Sequence, residues 1–106
     1  MASRTTAQHD RLLAELNEER LAALTRISKT LETQIDQLHN LRQRILQRPA
    51  PAPARDLNAY RDLRASARKY RWYLEVQREA LGIRHHRVLD EFFAIPEALE
   101  PDLSST

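Results

Sequence analysis

Apolar residues recur in alternating steps of three and four along two stretches of the chain. The first holds Leu24, Ile27, Leu31, Leu38, Leu41 and Ile45, with Gln34 in the same row. The second holds Tyr60, Leu63, Ala67, Tyr70, Leu74 and Leu81, with Gln77 in the row. A mean step of about 3.5 residues is the seam of a coiled coil, not the alternation of a strand. Between the two stretches lies Pro49-Ala50-Pro51-Ala52-Pro53, which cannot be helical inside because each proline removes a donor and clashes with the preceding turn. Folded back there, the chain sets Leu41 against Tyr60, Leu38 against Leu63, Gln34 against Ala67, Leu31 against Tyr70 and Ile27 against Leu74. Each pair of residue numbers adds to 101. One antiparallel register therefore serves both rows, which predicts an all-α fold: a long antiparallel two-helix coiled-coil hairpin with a Pro-Ala elbow.

Element bounds follow from local chemistry. Ser3, Thr5 or Thr6 can cap the first helix, and Arg48 precedes a proline that ends it. The expectation is helix 1 over about 4–47, an elbow in polyproline II at 48–53, and helix 2 over about 53–94. Gly82 is the only glycine and invites a helix end in the left-handed conformation. Against it, Ile83, His86, Leu89 and Phe93 continue a helical spacing up to Pro96, and equal arms leave no apolar stripe uncovered. A helix running through Gly82, straight or kinked, is the favoured expectation; a separate short helix over 84–94 is the alternative. The hairpin domain thus covers 1–96, and the acidic, proline-containing segment 97–106 reads as a disordered tail.

The seam does not use every apolar residue. Trp72, Tyr73, Val76, Ala80 and Ile83 form a second stripe, and Leu21, Ile35 and Leu46 lie off the seam on the first arm. So broad an apolar sector contacts more than one neighbour, and aromatic residues with a polar handle anchor interfaces. These residues, with Phe92 and Phe93, are the expected oligomer or partner interface, the hairpins pairing into a four-helix bundle. Phe92 and Phe93 are alternatively a staple onto Leu12, Leu13 and Leu16 at the open end, where a continuous second helix would set Leu13 opposite Val88.

Composition narrows the class. The chain has 106 residues, 30% of them charged, and no Cys, enough for one domain with a thin seam and no disulfide or thiol chemistry. No stretch near the start resembles a signal peptide and no run is long and apolar enough to span a bilayer, so the expected location is cytoplasmic. The net charge is +2, unevenly spread, with every acidic residue from Glu91 onward unbalanced by a base. Fifteen of the seventeen bases are Arg, a bias that high-GC codon usage explains as well as function does.

Arg61, Arg64, Arg68, Arg71 and Arg78 share one helix face. Such a stripe suits a phosphate backbone or an acidic partner, although a solvated face is commoner and no accompanying nucleic-acid motif is present. His86 and Asp90 are four apart, with His85 and Glu91 beside them, but two ligands do not make a metal site. Ser28 and Ser66 have no histidine opposite them in the register, and a two-helix seam offers no pocket that excludes water. The chain therefore reads as non-enzymatic, without cofactor, metal or small-molecule substrate. The expected function is a coiled-coil scaffold, adaptor or assembly factor that associates with itself and with another protein. A small nucleic-acid-associated regulator using the arginine stripe, and a chaperone for another helical protein, are the alternatives.

Overall fold

The computed structural model describes residues 2–99; the remainder of the expected tail, 100–106, lies outside the described residues. Among the described residues there are three helices and no strand: α1 (Ala2–Gln47), α2 (Ala54–Ala80) and α3 (Arg87–Phe92). The molecule is a rod of 74 × 26 × 21 Å. Its length is that of α1, whose 46 residues span about 69 Å at ~1.5 Å per residue.

α1 and α2 pack as an antiparallel hairpin in the expected register. Gln34 Nε2 donates to Ser66 Oγ at 3.0 Å, and Arg20 Nη1 donates to the Ala80 carbonyl at 3.1 Å; both pairs sum to 100, one short of the seam pairs. Leu31, Leu38, Ile45, Tyr60, Ala67 and Leu74 are buried, with Leu24, Ile27, Leu41, Leu63 and Tyr70 packed around them. At the elbow, Pro53 (φ −60°, ψ 138°) is the N-cap of α2, and Asp56 lies in the first turn. The Asp56 carboxylate accepts from Arg48 Nη1 at 3.1 Å, which ties the two arms together across the prolines. The Ala50–Pro51 peptide is cis.

The second arm departs from the expected course at Gly82. α2 ends at Ala80 instead of running to about 94. Ile83 N–H donates to the Arg78 carbonyl and Gly82 N–H to that of Glu79, with Gly82 at φ +88°. That pair of bonds is a Schellman cap, which satisfies the last carbonyls and turns the chain away from the helix axis. The helical spacing of Ile83, His86, Leu89 and Phe93 is realised differently: a short α3 inserts Leu89, 1% exposed, into the core, and an extended segment follows. Of the two expectations, the separate short helix is the correct one, shortened to six residues.

After α3 the chain runs back toward the elbow as a strap in the groove between α1 and α2. Phe93, Ile95 and Leu99 pack against the core cluster, as does the off-seam residue Ile35, itself buried. The Glu97 carbonyl accepts from Tyr60 Oη at 2.6 Å and from Arg42 Nη1 at 3.5 Å, one donor from each long helix. The expectation of disorder from residue 97 is thus corrected for 97–99: these residues are pinned. So is the expected staple. Leu12, Leu13 and Leu16 are exposed, as is Val88, because the strap departs toward the opposite end of the rod.

Candidate interaction surface

The strap has few backbone hydrogen bonds of its own, and buried carbonyls require donors. Three arginines on α2, spaced seven apart, donate to carbonyls of the strap and of the turn that leads into α3. Arg64 Nε donates to the Pro96 carbonyl at 2.8 Å, Arg71 Nη1 to that of Phe93 at 3.5 Å, and Arg78 Nη2 to that of His85 at 3.2 Å. A spacing of seven keeps residues on one side of a helix with only about 20° of drift per step, so the three guanidinium groups line the groove in a row. Arg71 also pairs with Asp90. Arg78 Nε donates to His86 Nδ1 at 3.4 Å, while His86 Nε2 lies 3.0 Å from Glu79 Oε1. With Arg78 as the donor, Nδ1 accepts and Nε2 faces the Glu79 carboxylate.

The arginine row expected to present one charged face is therefore divided. Arg64, Arg71 and Arg78 hold the chain's own C-terminal segment. Arg61 has an interaction partner as well. Arg68 is exposed and makes no hydrogen bond or ion pair among the described residues. His86 and Asp90, four apart, are not brought together as a ligand pair: one caps α3 and binds Arg78 and Glu79, the other turns to Arg71.

The expected interface residues divide too. Trp72 is 58% exposed, Tyr73 and Val76 slightly over a third. The Trp72 and Tyr73 rings are 5.6 Å apart, and Tyr73 meets Tyr70 edge-on at 5.7 Å, so the surface aromatics rest on a seam residue. Ala80 is exposed one turn beyond Val76, Ile83 is half-buried past the helix end, and Phe92 is exposed on α3. Phe93 is instead half-buried against the core, its side of the short helix being turned inward with Leu89. Beside Trp72 lies an open cleft of about 320 Å³ lined by Arg64, Arg68, Arg71, Trp72, Glu75 and Ile95. Ile95 is not legible from sequence as part of this surface, since it arrives only through the reversal at Gly82.

A further exposed apolar surface lies at the far end. The Arg20–Ala80 bond marks where α2 stops beside α1. Every residue from 5 to 19 is exposed, Leu12 at 62% and Leu13 at 45% among them. No helix among the described residues is long and apolar enough to cross a membrane.

The class these features define is a helical hairpin locked by its own strap, with apolar side chains left on one face and one end. Comparison with protein-family models, curated proteins and solved structures finds no match to this chain.

Proposed function

We propose that the chain is a non-catalytic protein–protein interaction module of the cytoplasm: a coiled-coil scaffold or adaptor that associates with itself and docks a partner protein through the Trp72 face. Support comes from one observation. The hairpin and strap bury a continuous core, yet Trp72, Tyr73 and Val76 remain exposed side by side. Tryptophan so placed costs the free protein hydration and contributes strongly to binding once covered, which is why it dominates contact energetics. The cleft beside it is open to solvent, unlike a site that shields reacting groups from water.

Trp72→Ala tests the proposal. Trp72 lies outside the buried cluster, so the variant should keep the parent's helicity by circular dichroism. Association measured by light scattering should weaken by ~2 kcal/mol, about thirtyfold in dissociation constant. An unchanged mass at every concentration, together with unchanged binding to any partner, would remove the Trp72 face from the function.

A further inference from the structure

Residues 2–19 of α1 project past the end of α2 at Ala80, a free arm of about 27 Å at ~1.5 Å per residue. Helices in proteins gain most of their stability from packing an amphipathic face, and residues 5–19 are exposed throughout. The arm has such a face. Leu12 and Leu16 form a ridge, Leu13 flanks one side of it, and Glu15 and Glu19 flank the other. Within residues 5–19, Asp10, Glu15, Glu18 and Glu19 are opposed by Arg11 alone.

The Trp72 face carries the complementary pattern. Trp72 and Val76 form a ridge, Tyr73 flanks one side, and Arg68 with Arg64 flanks the other, where the one carboxylate between them and the end of the ridge, Glu75, is already paired with Arg71. When two α-helices face each other antiparallel, equivalent flanks meet, as they do in antiparallel coiled coils. An arm laid antiparallel on α2 thus sets Glu15 and Glu19 along Arg68 and Arg64, and Leu13 toward Tyr73, with its leucine ridge against Trp72. Arg68 needs no prior contact broken, since it makes none among the described residues.

The arm cannot reach the face of its own chain. In the seam register Trp72 lies level with residue 29 of α1, so Leu12 and Leu16 sit about 20–25 Å further along the rod at ~1.5 Å per residue. We infer that the occupant of the Trp72 face is the α1 arm of a second copy, joined head to tail by acidic-to-basic flanks. That occupancy presupposes the Trp72 contact surface proposed above. The arm and the face are different patches, so the contact is heterologous and leaves one of each unfilled, allowing growth by further copies.

Two variants separate the patches. Leu12→Ala with Leu16→Ala disables the arm; Arg68→Glu disables the face. All three side chains are exposed, so circular dichroism should match the parent for both. In sedimentation velocity at low salt, the parent should grow with concentration beyond a dimer, and each variant alone should associate at least about tenfold more weakly. Mixed in equal amounts, the two should form a one-to-one complex that does not grow. Adding Glu15→Lys and Glu19→Lys to Arg68→Glu should restore association. A parent that stays monomeric up to millimolar concentration, or one whose oligomers ignore the arm variant, overturns the inference. If oligomers ignore the arm but are lost with Trp72→Ala, the Trp72 face stands as a contact surface and its occupant is not the arm.

Discussion

Arg64 donates its Nε–H to the carbonyl of Pro96 at 2.8 Å, across a sequence separation of 32 residues. The bond turns an arginine of α2 into a fastening for a segment that has no hydrogen-bond ladder of its own. Arg64→Leu leaves that carbonyl without its donor, and charged hydrogen bonds contribute about 1.5–3 kcal/mol. Because the site is only partly buried, a loss near ~1.5 kcal/mol is expected. Hydrogen exchange should show it as faster exchange at residues 89–99, with the seam amides of α1 and α2 little changed.

Leu89 and Leu31 are both almost fully buried, but they belong to different units. Truncating a buried leucine to alanine costs about 2–5 kcal/mol. Leu31→Ala should lower the midpoint of the whole unfolding transition, since Leu31 lies in the seam opposite Tyr70. Leu89→Ala should instead release the strap first. Limited proteolysis after residue 80 would then precede any loss of far-ultraviolet helicity.

Gly82 holds φ at +88° with open space where a Cβ would lie. A substitution there meets no neighbour and bears only the backbone cost of the left-handed region, about 1–2 kcal/mol for a residue with a Cβ. Gly82→Ala should lower the unfolding free energy by that amount in a denaturant titration, and Gly82→Asn by less. An alanine variant as stable as the parent would mean that the turn is not fixed by the Schellman bonds.

Gln34 donates to Ser66, yet its Oε1 is buried without a hydrogen-bond partner among the described residues. A buried unpaired acceptor costs about 1–3 kcal/mol. Gln34→Leu should therefore raise thermal stability. A polar residue inside a seam commonly fixes register at the expense of stability, so the variant should also populate slipped pairings, detectable as broadened NMR signals along α2.

Much of the hairpin was legible in residue spacing. A strict alternation of three and four admits antiparallel registers one heptad apart, and the short elbow selects the one that sets Ile27 opposite Leu74 and Leu31 opposite Tyr70. The second arm is less legible, because Ile83, His86, Leu89 and Phe93 keep a helical spacing that a capped turn, a short helix and a strap satisfy equally. Gly82 carried the correct signal, outweighed by the expectation of equal arms. Ile35 shows the same limit: its position off the seam called for a second neighbour, and a second copy and the chain's own strap meet that need alike.

The sequence by itself determined the all-α class, the antiparallel register and the apolar residues that one seam cannot use, because helical periodicity is a local property written in the order of side chains. Tertiary structure alone decided where those remaining residues go. Whether Arg64, Arg71 and Arg78 face solvent or carbonyls depends on a reversal at Gly82 that brings distant backbone beside them. The same reversal leaves residues 5–19 uncovered and Trp72 exposed next to Arg68, since a strap folded toward the elbow cannot also cover the far end of α1.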